Sequence, residues 1–309
     1  MKKTCIDIVL ATYNGERFIE PQIVSIQHAF HYSALVARII IVDDGSTDHT
    51  RQIVARLQKH DARIEWHTNP GPQYGPRANF GYGLSLTSAD YIMLSDQDDI
   101  WHPAKITRSL QAIEQQDQPA LVFTDKRIVD EHLNEICPSF FQLRNISHQW
   151  HHGTERLLQQ NVASGCTMLF NRALLQHALP IPPAAFMHDW WLILVAKMCG
   201  CIVFIDAPLI DYRQHRHNSI GARSYGVFYL VRHFFSHFKR FQTNFWRSVV
   251  QAEALSQRFN NTHLSDIPFA HLTRYTYWQR LRLWAQGKIK QHNWKGQIAL
   301  LLTLVISRP

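Results

Sequence analysis

Tyr91-Ile92-Met93-Leu94-Ser95-Asp96-Gln97-Asp98-Asp99-Ile100-Trp101 is the stretch on which the fold turns. Its apolar opening reads as a short buried strand, and three carboxylates within four positions follow at once. Carboxylates this close repel one another unless a cation or hydrogen-bond donors neutralise them, and hard oxygen ligands suit Mg2+ or Mn2+ rather than zinc. A cation held there would bridge two phosphates and take up charge as a diphosphate departs. The plainer alternative is a solvated acidic turn that caps the next helix. Trp101 reads as an apolar lid behind the acids.

Upstream, short apolar runs alternate with helix-like segments: a strand over 6–11, a helix over 18–28, a strand over 39–42 and a helix over 50–59. Strands over 91–94 and 120–123 continue the series. This alternation predicts an α/β, Rossmann-like, mostly parallel sheet with helices on both faces, whose ligand site lies at the carboxyl ends of the strands. Polar loops follow three of the strands: Thr12-Tyr13-Asn14-Gly15-Glu16, Asp43-Asp44-Gly45-Ser46-Thr47-Asp48, and the acidic block. All three are expected on one edge of the sheet. Residues 69–76, rich in Gly and Pro, read as a mobile surface loop that is neither helix nor central strand. Residues 151–222 read as mixed structure completing the globule, and 223–309 as helices with basic and aromatic faces.

Three further segments carry chemistry. Asp43 and Asp44 stand at a strand end before a glycine turn, where a carboxylate can accept from a base or ribose; a bare strand-to-helix turn is the alternative. His188-Asp189-Trp190-Trp191 surrounds a carboxylate with an imidazole and two large aromatics. Apolar walls suit a carboxylate to accept a proton from a sugar hydroxyl, and Trp faces stack on sugar rings. The same four residues would also serve as the capped start of a buried helix. Tyr212-Arg213-Gln214-His215-Arg216-His217-Asn218 offers a phosphate clamp or a metal-ligating imidazole, or simply a solvated basic loop.

The 309 residues are 46% hydrophobic and 18% charged, ordinary values for a folded chain and unlike a disordered one. Five cysteines without CxxC spacing fit neither a disulfide framework nor a zinc site, and point to a reducing cytoplasm. Met1-Lys2-Lys3 and the apolar run after it are too short, and too soon broken by Asp7, for a signal peptide. No stretch has the length of a spanning helix. The net charge of +8 gathers after residue 212 among aromatics, as in Phe228, Arg232, Phe234, Phe235, Phe238, Lys239 and Arg240. That mixture favours an anionic membrane surface, and without a helix-turn-helix, zinc-finger or RNP pattern no nucleic acid is expected.

Together these motifs, over residues 6–221, resemble the family 2 glycosyltransferases with the GT-A fold: Ala11-Thr12-Tyr13-Asn14-Gly15, Asp43-Asp44-Gly45-Ser46, the block from Ser95 to Trp101, Ser164-Gly165-Cys166-Thr167, Met187-His188-Asp189-Trp190-Trp191 and Tyr212-Arg213-Gln214-His215. The wording of the acidic block and of the His-Asp-Trp-Trp segment is similar to bacterial rhamnosyltransferases of cell-surface polysaccharide synthesis. The resemblance implies a catalytic domain over 1–222; no motif of the family carries over to the helical region over 223–309, whose basic and aromatic composition is what suggests docking on the inner face of the cell membrane. It implies a nucleoside-diphosphate sugar donor, dTDP-L-rhamnose before other UDP- or dTDP-sugars, a lipid-linked saccharide acceptor, and Mg2+ or Mn2+. Thr12, Tyr13 and Glu16 would line the nucleotide pocket, Asp44 would meet the base, Asp96 the ribose or metal, and Asp98 the metal. His215 would touch metal or diphosphate, Asp189 would be the catalytic base, and Trp190 and Trp191 would receive the acceptor. Pro21, where the family more often carries Gln-Gln or Glu-Gln, places the start of the first helix in question. A sugar-nucleotide pyrophosphorylase would need a glycine-rich basic loop after the first strand, which Ala11 to Glu16 is not. A non-catalytic glycan-binding scaffold is the other rival.

Overall fold

Strand β1 (Ile6–Thr12) is buried along nearly its whole length, as a central parallel strand must be when helices cover both faces. The computed structural model describes residues 5–215, 234–260, 264, 266–291 and 294–306. After β1 come α1 (Ile19–Gln27), the short α2 (Tyr32–Leu35), β2 (Val36–Asp43), α3 (Thr50–Gln58), β3 (Ile64–Thr68), α4 (Pro76–Ser85) and β4 (Tyr91–Ser95). Pro21 falls in the first turn of α1, where backbone N–H groups have no helical partner to lose, so the helix begins undisturbed. Pro76 likewise occupies the first position of α4, which corrects the expectation that the loop runs through it.

The second half adds β5 (Ile100–Trp101), α5 (Lys105–Ile113), β6 (Ala120–Val129), β7 (Glu135–Cys137), α6 (Phe140–Arg144), α7 (Thr154–Gln159), β8 (Met168–Asn171), α8 (Arg172–Ala178), α9 (His188–Cys199) and β9 (Cys201–Arg213). Among the described residues the strands form one sheet in the order β3-β2-β1-β4-β8-β6-β9-β5, with β7 paired to β6. The pairings β1 with β2, β1 with β4 and β2 with β3 are parallel, whereas β8 runs against both β4 and β6. With β9 parallel to β6, most strands point one way, and β5, β7 and β8 oppose them. In the β1–β4 register Ile8 lies opposite Met93 and Leu10 opposite Ser95, so the loops after both strands leave the sheet at one edge. The apolar layer between that sheet and α1 and α5 includes Ile8, Ile23, Ile39, Met93, Ile106 and Val122, none with solvent exposure.

The chain divides into two compact units. The first comprises 5–152, 162–181 and 187–215 and holds the whole sheet. The second takes 153–161, 182–186 and the described residues from 234 onward, so two short stretches of the first 222 residues belong to it. Its main element is a 26-residue helix, Phe234–Phe259. Phe245, Val249 and Ala252 lie buried along one face of it, at the spacing of an amphipathic helix. Phe245 meets Phe269 edge to face at 5.7 Å, and Phe269 belongs to the 3-10 turn Pro268–Arg274. The helix Tyr277–Ala285 starts with a reciprocal capping box of Thr276 and Gln279, and the helix Trp294–Ile306 follows. Among the described residues no helix is long and apolar enough to cross a membrane.

Candidate active site

The loops after β1 and β2 are sewn together. Asp44 N–H donates to the Thr12 carbonyl at 2.9 Å, Asn14 N–H to Ser46 Oγ at 2.8 Å, and Thr47 N–H to Asn14 Oδ1 at 2.9 Å. Asn14 adopts a left-handed conformation, φ 47°, which asparagine tolerates better than most residues. Asp43 turns back on its own loop and accepts from the N–H groups of Gly45 and Ser46 and from the Ser46 hydroxyl. Gly45, at φ +91°, makes the turn that this requires. Asp44 reaches outward, accepting from Asn69 Nδ2 at 2.8 Å and Gly75 N–H at 2.6 Å. The loop expected over 69–76 as a mobile surface connection is thus tied through Asn69 and Gly75 to Asp44, the carboxylate expected to meet the base. Glu16 stands apart. Its carboxylate accepts from the backbone N–H of His49 at 2.9 Å and lies 2.8 Å from the His49 ring, and these contacts hold its acid below the usual carboxylate range.

Gln97 joins the acidic block to the first loop. Its Oε1 accepts from Thr12 Oγ1 at 2.6 Å and Tyr13 N–H at 2.9 Å, and its Nε2 donates to the Tyr13 carbonyl at 3.1 Å. The three acids then separate by environment. Asp98 carries a carboxylate oxygen 2.8 Å from Nε2 of His215, whose ring stacks on Phe18 with centroids 4.7 Å apart. Asp99 is 1% exposed; one oxygen accepts from Arg213 N–H at 3.3 Å and the other has no partner among the described residues. Asp96 is half-buried, and burial together with the charges of Asp98 and Asp189 lifts its acid to about 7. Burial and the charges of Asp98 and Asp96 raise Asp99 well above the ordinary range. Asp96, Asp99 and Cys166 each bring a ligand-type atom within 4.8 Å of the others. The buried Cys166 thiol is pushed far up by burial and by these two acids, so it stands beside them as a neutral thiol rather than as a thiolate ligand.

Two buried lysines, neither foreseen in the sequence, face this cluster. Lys105 is fully buried, donates to the Cys166 carbonyl at 2.6 Å and stands 3.7 Å over the Trp101 ring. Burial brings its ammonium down to about 7, against the pull of the Cys166 thiol, Asp99 and Asp96. Lys126 donates to Ser164 Oγ at 2.6 Å and lies 3.6 Å over the Tyr212 ring. Lys105 did leave a signal. Lys105, Ile106, Ser109, Leu110 and Ile113 form the buried stripe of α5, and a lysine on such a stripe must have a carbonyl or carboxylate to meet. Trp101 is 2% exposed and paired in the sheet, so it is a core residue under Lys105 rather than a lid.

Asp189 lies in the first turn of α9, where the helix N-terminus favours negative charge. Its Oδ2 accepts from Gly165 N–H at 3.2 Å and its Oδ1 from Trp190 N–H at 2.6 Å. Asp189 is also one of the charges that lift Asp96, which brings α9 to the acidic block although 93 positions separate the two acids in the chain. His188 is buried, stacked on Phe80 with centroids 3.9 Å apart, and held near 4 by burial, hence neutral. Trp190 is 7% exposed. Trp191 is corrected outright: it has no exposure and its indole N–H donates to the Ala178 carbonyl at 2.9 Å, so its faces belong to the core and no sugar can reach them.

A parallel half-sheet with an acidic loop at its carboxyl edge, continued through reversed strands into one mixed sheet, is the GT-A fold of glycosyltransferases. In structure the chain is similar to the mannosyltransferase PcManGT from Pyrobaculum calidifontis, solved in complex with GDP-Man and Mn2+. That likeness has a TM-score of 0.56 at 15% identity and covers 97% of this chain and 87% of that one. Residues 7–179 match the model of Glycosyl transferase family 2. Among sequence relatives, the dTDP-rhamnosyl transferase RfbG of Shigella flexneri is 30% identical over 227 residues, 69% of this chain and 74% of that protein. The GalNAc(5)-diNAcBac-PP-undecaprenol beta-1,3-glucosyltransferase of Campylobacter jejuni is 34% identical over 94 residues, 30% of this chain and 29% of that one. The chain belongs to glycosyltransferase family 2 and is a glycosyltransferase.

Proposed function

We propose that the protein is an inverting, divalent-metal-dependent transferase that moves L-rhamnose from dTDP-L-rhamnose to a lipid-linked saccharide at the inner face of the cell membrane. The observation that carries the reading is the assembly of Asp96, the Asp98 and His215 pair, and Asp189 around one strand edge. The choice of donor is supported by the Shigella flexneri relative, and the lipid-linked acceptor by the Campylobacter jejuni one. The first unit would be catalytic, corresponding to the domain expected over 1–222. Thr12 and Tyr13, braced by Gln97, would line the nucleotide pocket with Glu16 at its rim. Asp44 keeps lone pairs free beyond its two loop contacts, enough to accept from the N3–H of thymine or uracil.

The residues present fit a divalent cation. Asp98 and His215 offer an oxygen and an imidazole nitrogen 2.8 Å apart, and the unpartnered buried oxygen of Asp99 lies behind them as a further acceptor. A bound Mg2+ or Mn2+ would offset the charge that develops on the leaving diphosphate. Asp96 would orient the ribose or the metal. Asp189, held from two sides by the N–H groups of Gly165 and Trp190, would take the proton from the acceptor hydroxyl as that oxygen attacks the anomeric carbon opposite the diphosphate. One base and one displacement invert the anomeric configuration. Trp190 is the residue left to contact the acceptor.

Incubation with a panel of dTDP-, UDP- and GDP-sugars, scored for donor hydrolysis and for transfer to lipid-linked saccharides, tests the reading. Selective turnover of dTDP-L-rhamnose is expected. Turnover of another sugar nucleotide alone would replace the donor, and binding of every donor without turnover of any would favour a glycan-binding scaffold.

A further inference from the structure

The second unit leaves an apolar helix face open. On the helix Trp294–Ile306 the residues Ile298, Val305 and Ile306 are 51%, 45% and 65% exposed, and Leu301 and Leu302 are half-buried. Positions 298, 301, 302 and 305 share one helical stripe, while Leu300, Thr303 and Leu304 form the opposite, buried one. No charged residue occurs from Gln297 to Ile306. Trp278, 75% exposed, and Tyr277 open the preceding helix Tyr277–Ala285. Trp284 near that helix's end donates to Gln297 Oε1 at 3.2 Å near the start of the next. The two helices thus touch one another.

Charge identifies the occupant. Residues 267–309 contain seven Lys and Arg and no Asp or Glu, and Arg274, Arg282, Lys288 and Lys290 are exposed. A fully cationic segment carrying an exposed Trp, an exposed Tyr and an uncharged apolar stripe complements an anionic phospholipid surface: aromatics at the headgroup level, aliphatic side chains below it, ammonium and guanidinium groups on the phosphates. We propose that this face, formed by Tyr277, Trp278, Ile298, Val305 and Ile306, lies in the headgroup layer of an anionic membrane and holds the enzyme beside its acceptor. The proposal rests on the reading of a membrane-side transferase and moves the docking surface away from the segment expected in the sequence. Of that segment, Phe228 and Arg232 lie outside the described residues, as do the side chains of Phe234 and Phe235. Phe238 is half-buried, and Lys239 and Arg240 are exposed.

The test is flotation of the full chain with phosphatidylcholine vesicles containing or lacking phosphatidylglycerol, at low and high salt. Wild type is expected to float with the anionic vesicles and to be released by salt. Trp278→Ser combined with Val305→Gln, both at exposed positions, should lower the bound fraction at least tenfold, while Phe238→Ala leaves it unchanged. Flotation of the double variant like wild type would overturn the assignment of the face, and failure of wild type to bind anionic vesicles would overturn docking altogether. Concentration-dependent dimerisation of wild type, lost in the double variant, would give the face to a second copy instead. Hydrolysis of a soluble donor should be equal in wild type and double variant, so a chain inactive on every donor would refute the transferase reading separately from the membrane one.

Discussion

Asp189 shows how much a single side chain depends on its supports. A poor hydroxyl nucleophile needs a base in the transition state, and a positioned base contributes roughly 10² to 10⁴ in rate. Asp189→Asn is therefore expected to lower turnover by about that factor with donor affinity nearly intact. Isothermal titration with donor beside a rate assay checks it, and loss of affinity with full turnover at saturation would move Asp189 into the nucleotide pocket. Gly165 is the support most easily broken. A Cβ there would come 2.7 Å from His188 Nε2 and 3.5 Å from the Asp189 Cβ, and the Gly165 N–H is one of the two donors to the carboxylate. Gly165→Ala should cost on the order of 10²-fold in kcat, as misplaced catalytic groups do, with KM for donor little changed. A wild-type kcat would show that the turn has slack. His151 lies away from this chemistry. Burial holds its ring, set edge-on to Phe123, at about 4 against an ordinary 6.5. Between those values the unfolded chain binds the proton and the folded one does not, so this contribution to stability is lost as pH falls from 6.5 toward 4. Relative to His151→Phe, wild type should lose up to ~1.4 kcal/mol per pH unit across that window, read by urea unfolding at several pH values. A pH-independent difference would mean that the ring is protonated in the fold.

At the scale of elements, side-chain hydrogen bonds tie the loop after β1 to the start of α3. Asp48 accepts from Thr50 N–H at 3.0 Å and from the Thr50 hydroxyl, and also from Glu16 N–H at 3.0 Å, while Thr50 Oγ1 accepts from Gly15 N–H at 2.8 Å. One carboxylate thus binds the first residue of α3 and fixes the loop that leads out of the first strand. Asp48→Ala should cost ~1–3 kcal/mol in thermal unfolding, the usual worth of hydrogen bonds to a charged group, and raise KM for donor more than it lowers kcat. An unchanged KM would indicate that the β1 loop orders itself on the donor without α3. The strands and helices of the first half were readable because their period and punctuation are local. β3 and α4 were not. Ile64–Thr68 is short and half exposed, and Pro76–Ser85 contains Gly81 and Gly83 and has little amphipathic contrast. Gly83 is explained by packing, since a Cβ there would meet Val9 Cγ1 at 2.5 Å.

For the whole molecule the governing quantity is the charge gathered at one edge of the sheet. Asp96, Asp98, Asp99 and Asp189 gather beside Lys126, Lys105 and Arg213, and burial with the repulsion left among the acids raises Asp96 and Asp99 above the ordinary carboxylate range. EDTA should abolish transfer, and added Mn2+ or Mg2+ should restore it. Asp98→Asn should keep the fold while weakening Mn2+ binding measured by electron paramagnetic resonance, and full activity in EDTA would refute the metal.

Local pattern determined the α/β class and the acid-bearing loops at strand ends, because strand and helix periods, glycine turns and clustered carboxylates are written within a few positions of one another, while the family rested on the resemblance of several motifs taken together. Tertiary structure decided what each acid does. It turned Asp99 inward and paired Asp98 with His215 across the sheet. It set Asp189 near Asp96 and buried two lysines beneath them, and it withdrew Trp101 and Trp191 into the core. Those outcomes depend on contacts between residues far apart in the chain, and whether a tryptophan or a carboxylate faces water or a packed neighbour is a property of the assembled sheet that no local spacing encodes.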